Sequence, residues 1–252
     1  MHTFSILCNF LHTWKGRTMS AATTQPVTGP FLIVNPKAHL GGSETLRLAL
    51  LTDELAARFD IDVLFTAQHV DLRMVAGRTG RLCVTAQHMD PITPGRGMGR
   101  ILPESLVEAG ARAVVLNHAE HPLPLAVLDA TMERARQVGL ATVVCADTDA
   151  QCRAVAAMGP DVMICEPTAS IGTGRMDAGD YVERTTRIVK DADPGILVIQ
   201  AAGVTGAADI ARVLDQGADG SGGTSGIVKH PDWRRVLTEM FTALAAHRDA
   251  LP

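Results

Sequence analysis

VMICEPTASIGTG, residues 162–174, begins as a buried strand and ends as a pliable loop. Val162, Met163 and Ile164 form a short apolar run that stops at a carboxylate, Glu166, and Pro167 ends regular structure there. Small residues follow as far as Gly172 and Gly174. The carboxyl edge of a parallel sheet presents this pattern to a ligand: a strand ending in an acid, with a glycine-bounded loop beyond it. Such a loop is able to fold over what is bound. The plainer reading is an ordinary strand-to-helix loop with a surface glutamate.

Runs of the same kind recur on either side. FLIVN (31–35), IDVLF (61–65), LCVTA (82–86), AVVLN (113–117), ATVVC (141–145), DVMIC (161–165) and ILVIQ (196–200) are almost continuously apolar, as strands covered on both faces are. DGSGGT (219–224) is the weakest strand candidate. Helical patterns lie between them. SETLRLALLTDELAARF (43–59) opens on a capping serine and spaces Leu46, Leu50, Leu51 and Leu55 along one face. LPESLVEAG and LAVLDATMERARQVG end on Gly110 and Gly139, DTDAQCRAVAAMG opens on Asp147 as a cap, and a last helix near 231–247 opens with Pro231. Eight strand–helix units in one domain, residues 29–252, predict an α/β fold, a single (β/α)8 TIM barrel. A doubly wound open sheet is the alternative.

The 252 residues are 46% apolar with mean hydropathy +0.14, enough to bury a large core. Only six Phe, two Trp and one Tyr are present, so aliphatic residues must do the packing. A net charge of −4 and pI near 6.1 argue against a nucleic-acid surface. No apolar run approaches the roughly 18 residues of a membrane helix. The five cysteines lack CxxC spacing, and Cys83, Cys145 and Cys165 fall on strands, where Cys acts as a small hydrophobe. A reduced, cytoplasmic setting is expected. Residues 1–28 have a different composition: FSILCNFL is short, and Met1–His2–Thr3 lacks the basic start of a signal peptide. They read as a disordered extension, or as a stretch upstream of a start at Met19.

TAQHVD (66–71) and TAQHMD (85–90) repeat one another just after two strands. Two His and two Asp could bind a metal, but polar strand ends feeding helix caps explain the pattern more simply. No metal or cofactor is expected. Collected in order, the strand ends offer Asn35 and Lys37, His88, then Asn117, His118 and Glu120, then Glu166, Gly203, and last Thr224, Ser225 and Gly226. Singly, each has a bland reading: a solvated lysine, a satisfied buried histidine, a flexible GSGGTSG loop without the GK[ST] of a nucleotide P-loop. On one barrel face they place a cation, an imidazole and a carboxylate around a mouth edged by glycine turns suited to phosphate.

NPK (35–37), NHAE (117–120) and EP…IGTG (166–174) resemble the three signatures of the triose-phosphate isomerase family. AQHMDP…GRILPESL (86–106) is similar to its short, archaeal-type branch. The resemblance implies an aldose–ketose isomerase of glycolysis and gluconeogenesis that acts on a small sugar phosphate as a homodimer or homotetramer. It makes Glu166 the base that carries a proton between two carbons, and His118 the electrophile on the carbonyl. Lys37, with Asn35 beside it, would stabilise the enediolate, and Glu120 would support Lys37. Gly172, Gly203, Thr205, Ser225 and Gly226 would receive the phosphate. The resemblance also implies a catalytic histidine kept neutral by a helix N-terminus, and a helix opening near Pro122 would put one beside His118.

Three departures stand out. Ala119 replaces a serine between His118 and Glu120, Thr205 stands where serine is usual, and GSGG occupies the place of an apolar eighth strand. Gly222 falls where a branched side chain would meet Ile171 around the base. That change predicts a better hydrated, less basic Glu166, a loosely closed barrel, and room for a larger ketose phosphate such as a tetrulose phosphate. Two further readings compete: a catalytically weak phosphate-binding regulatory barrel, and another phosphate-binding barrel enzyme of the amino-sugar or indole type.

Overall fold

Eight short strands pair in chain order, all parallel: β1 (Phe31–Val34), β2 (Val63–Ala67), β3 (Leu82–Ala86), β4 (Ala113–Leu116), β5 (Ala141–Ala146), β6 (Val162–Cys165), β7 (Leu197–Gln200) and β8 (Gly220–Gly223). β8 returns to β1, which closes the barrel and rules out the open sheet. This computed structural model describes residues 26–170, 172–173 and 180–250. Around the strands run α1 (Ser43–Phe59), α2 (Leu72–Ala76), α3 (Pro103–Glu108), α4 (Leu125–Val138), α5 (Asp149–Ala156), α6 (Tyr181–Ala192), α7 (Ala207–Asp215), α8 (Ser225–Val228) and α9 (Trp233–Ala250).

Side chains alternate along each strand and divide the core into two layers. Ile33, Leu64, Val115, Val143, Val162 and Ile164 fill the barrel, while Leu32, Phe65, Val114, Met163 and Cys165 pack outward under the helices. Val27 is buried with the inner set, and Thr28 donates from its backbone and hydroxyl to Asp62 Oδ2 at 2.9 and 3.0 Å. The fold therefore takes in residues assigned above to a disordered extension, and the expectation for residues 1–25 lies outside the described residues.

The glycine-rich eighth strand closes the barrel firmly, contrary to the expectation of a loose edge. β8 holds four residues in register with β1 and two with β7. Phe31, the register partner of Gly220, explains one glycine. A Cβ on Gly220 would lie 2.7 Å from the Phe31 ring, which occupies that space itself. Gly222 takes φ +140° and brings its backbone against Ile33, where a Cβ would stand 2.1 Å from the carbonyl oxygen. Glycine here marks two backbones in close approach, not a missing side chain.

Two helix starts also differ from expectation. Gly42, not Ser43, precedes α1, and its N–H is held by both Asp71 carboxylate oxygens. Thr148, not Asp147, caps α5 by accepting from the Gln151 N–H, while Gln151 Oε1 accepts from the Asp147 N–H. The repeated TAQH segments brace loops as well. His69 Nε2 lies 2.7 Å from the His88 carbonyl, and Asp90 Oδ2 accepts from the Ile101 N–H. Among the described residues no His, Cys, Asp and Glu cluster is disposed to hold a metal, and no helix is long and apolar enough to cross a membrane.

Candidate active site

Period two along β6 sends Ile164 inward and Cys165 outward, so Glu166 turns in again at the carboxyl mouth. There it borders a cavity of about 280 Å³ whose floor is Ile33 and Ile164. Burial pushes the Glu166 carboxyl up to about 7, although Lys37 pulls it down. Among the described residues no donor hydrogen-bonds its oxygens, so nothing favours the charged form except Lys37. This reverses the expectation of a hydrated, less basic Glu166. Ile171, the other half of the proposed contact with Gly222, lies outside the described residues.

Lys37 reaches the same cavity from the turn after β1. Its backbone is left-handed, φ +49°, and its N–H donates to Asn35 Oδ1 at 2.9 Å. Asn35 Oδ1 also accepts from Thr66 Oγ1 at 2.6 Å, and Gln87 Nε2 donates to the Lys37 carbonyl at 3.1 Å. A turn this braced can hold a conformation that costs a non-glycine residue of order 1 kcal/mol. Lys37 Nζ meets Glu120 Oε1 at 2.6 Å, and the ammonium holds the Glu120 carboxyl below its usual range.

His118 stands on the turn after β4, where Asn117 takes φ +58°. Asn117 is a brace: Nδ2 donates to the Cys145 carbonyl at 2.9 Å and Oδ1 accepts from the Leu123 N–H at 3.0 Å. The Glu120 N–H donates to His118 Nδ1 at 3.1 Å, which fixes the tautomer. A neutral ring whose Nδ1 accepts must carry its proton on Nε2. Burial first, and Lys37 second, lower the His118 pKa. The helix invoked from sequence lies farther off, since α4 begins only at Leu125. Desolvation and the neighbouring cation are what keep this imidazole neutral.

A half-buried base near neutrality, a neutral imidazole aimed through Nε2–H and a braced ammonium thus share one mouth. A sequence model of the family described as triosephosphate isomerase matches residues 30–240. Proteins named triosephosphate isomerase from Methanocaldococcus jannaschii, Caldivirga maquilingensis and Methanopyrus kandleri are 33%, 34% and 35% identical to the chain. The alignments cover 83%, 85% and 85% of this chain and 98%, 97% and 98% of those relatives. The chain belongs to the triosephosphate isomerase family.

For a triosephosphate isomerase family member, the remaining assignments divide. Gly172 and Gly203, both at φ +75°, and Ser225 line the cavity, as do Gly223 and Thr224. Thr205 does not: its N–H and hydroxyl both donate to Asp209 Oδ2 at 2.9 Å, which commits it to the start of α7. Gly226 lies behind the wall, packed so closely that a Cβ would meet Thr205 Cα and the Val204 carbonyl at 2.8 Å. His88 belongs to an adjoining cavity of about 250 Å³, where it stacks on His121 with centroids 4.0 Å apart. Two ionisable cavity residues went unread in the sequence, His39 and Lys229. A lone lysine after a short helix carries no motif, and only the closing of β8 onto β1 brings it to the mouth.

Ala119 and Glu166 border one cavity of about 210 Å³. The serine usual at 119 would set a hydroxyl on that wall. Ala119→Ser is expected to move the acidic limb of the kcat/KM–pH profile to lower pH, by roughly half a unit or more, because a donor favours the carboxylate. An unmoved limb would show that the hydroxyl does not reach the base.

Proposed function

We propose that this chain interconverts dihydroxyacetone phosphate and glyceraldehyde 3-phosphate by proton transfer through an enediolate. The observation that carries the reading is the half-buried carboxylate, raised to about 7, opposite an imidazole whose proton is fixed on Nε2. A base tuned to the operating pH removes a weakly acidic carbon-bound proton most effectively. Donors set beforehand stabilise the oxygen on which charge develops. Glu166 takes the proton from one carbon and returns it to the next. His118 donates from Nε2 to the carbonyl oxygen, and Lys37 offsets the negative charge of the enediolate. Asn35 orients Lys37, and Glu120 does so through the 2.6 Å pair.

The phosphate end falls to Gly172, Gly203 and Ser225, joined by Lys229. Lys37 is matched by Glu120, so an ionised Glu166 leaves the wall no net positive charge without Lys229. No carboxylate among the described residues pairs with Lys229. Lys229→Gln is expected to raise KM for glyceraldehyde 3-phosphate about five- to twenty-fold with kcat changed less than about two-fold, since ground state and transition state carry the same phosphate. A fall in kcat at constant KM would remove Lys229 from phosphate binding.

Isomerisation of glyceraldehyde 3-phosphate by the wild-type protein, measured from pH 5 to 9, tests the whole reading. Activity should fall as pH drops through about 7, the value at which Glu166 gains its proton. Phosphate binding without turnover would favour the regulatory barrel, and a higher kcat/KM for erythrulose phosphate would favour the larger ketose.

A homodimer or homotetramer in the cytoplasm belongs to the same reading. Val70, Met98 and Leu125 are 87%, 104% and 64% exposed, on the segments that follow β2, β3 and β4. Three adjacent segments of one rim thereby offer apolar surface to a second copy. Light scattering of the purified protein measures the state directly.

A further inference from the structure

Cys165 ends β6 with its sulfur in the outer layer, and Cys152 of α5 meets it there. The two Sγ atoms stand 3.7 Å apart, and both residues are fully buried. Cys145 and Cys83 point into the barrel, so among the described cysteines only Cys152 and Cys165 lie in the outer layer. The residue after Cys165 is Glu166, whose N–H donates to the Ala146 carbonyl at 3.0 Å.

We propose that Cys152 and Cys165 form a reversible disulfide that switches the enzyme off by displacing Glu166. The switch rests on the reading of Glu166 as the base; the crosslink itself does not. The co-reactant is a low-molecular-weight disulfide. The Cys152 thiolate attacks one of its sulfurs and expels a thiolate, leaving a mixed disulfide. Cys165 loses its proton to that thiolate, attacks Sγ of Cys152 and expels the second one. Two protein thiols are oxidised, one disulfide is reduced to two thiols, and the protons remain on the products.

Cys152 is suited to attack first, because the hydrogen bond it shares with Cys165 holds its thiol below the usual range while that of Cys165 is pushed up. The reagent reaches the pair when α5 opens locally; this helix is eight residues long and buries only Cys152, Val155 and Ala156. Closing the bond draws the sulfurs from 3.7 Å to about 2.05 Å. β5 holds β6 as far as Cys165, but β7 holds it only as far as Ile164, so the strain falls on the end bound on one side, at Cys165 and Glu166. A shift of about 1 Å in a reacting group can lower the rate about 100-fold.

Oxidised glutathione is the probe, applied to the whole protein and followed by non-reducing tryptic digestion. The expected product joins peptides 137–153 and 154–175, with fragmentation assigning the bond to Cys152 and not Cys145. Activity should fall at least about ten-fold and return with dithiothreitol. Cys152→Ser, or Cys152→Ala if the serine variant does not fold, should give no crosslink and keep its activity under the same treatment. Absence of the crosslink in the wild type overturns the site. A crosslink with unchanged activity, or equal inactivation of the Cys152 variant, overturns the switch. Glu166→Gln should form the same crosslink, which separates failure of the pair from failure of the base.

Discussion

Glu166→Gln is expected to lower kcat/KM by roughly 10²–10⁴-fold and, at pH 8, to make the folded protein more stable. The two effects have one origin. The Glu166 carboxyl rises from an ordinary 4.5 to about 7 because burial disfavours its charged form. A carboxyl whose folded pKa lies above its unfolded value favours folding while protonated. That advantage is whole below about 4.5 and is lost as pH rises to about 7. Ionised at pH 8, Glu166 therefore holds the folded state on the order of 3 kcal/mol less stable than a neutral isostere would. Glutamine removes the proton acceptor and that penalty together. For a chain of this size the unfolding midpoint should rise by roughly 6–12 °C at pH 8 and by much less near pH 5. Activity retained in the variant would show that another group is the base. Activity lost with no pH-dependent gain in stability would show that Glu166 titrates in the ordinary carboxylate range.

Seven of the eight strands were legible because strands covered on both faces need apolar side chains at nearly every position, and β1, β3 and β6 begin and end within a residue or so of their apolar runs. β2 lies two residues later than read, since Thr66 and Ala67 are buried strand residues without the look of a core run. Helix α6 hid for a similar reason: its inner face includes Thr185 and Thr186, whose hydroxyls accept from Gln200 Nε2 at 2.8 and 3.1 Å. Local spacing also misplaced the caps, because Ser43 and Asp147 each have a neighbour, Gly42 and Thr148, that takes the capping position. At the site, Glu166, His118 and Lys37 were legible because each closes an apolar run with a reactive group. Thr205 and Gly226 were assigned to phosphate from motif position alone; Asp209 accepts from the N–H and hydroxyl of Thr205, and neither residue lines the cavity. The cause of the His118 shift was likewise beyond the sequence, since it depends on a cavity and on Lys37 from a distant strand.

The same limit decides the second large effect. Read as a defect, Gly222 invites repair with the branched residue usual in the family. In the barrel, Gly222→Leu is expected to abolish folding: its Cβ would stand 2.1 Å from the Ile33 carbonyl oxygen, at φ +140°. The obstacle is backbone, so no side-chain rotation relieves it, and β1 would have to leave β8. Even Gly222→Ala should cost about 3 kcal/mol or more, a fall of roughly 6–12 °C in the unfolding midpoint. Gly223→Ala is the control. It shares the positive φ, +143°, but its Cβ would meet only the Ala201 carbonyl at 3.4 Å, an ordinary contact. Its cost should be about 1–2 kcal/mol, from the backbone conformation alone. Thermal unfolding of the two alanine variants, beside the soluble yield of Gly222→Leu, measures the difference. A folded, more active Gly222→Leu protein would mean that β8 can retreat from β1 and that the space it leaves belongs to the substrate. Equal losses in the two alanine variants would assign the effect to φ and leave the contact with Ile33 without energetic weight. The close approach explains why GSGG serves as a strand here: Phe31 supplies from β1 the volume that β8 lacks, and the backbones draw together where side chains would have held them apart.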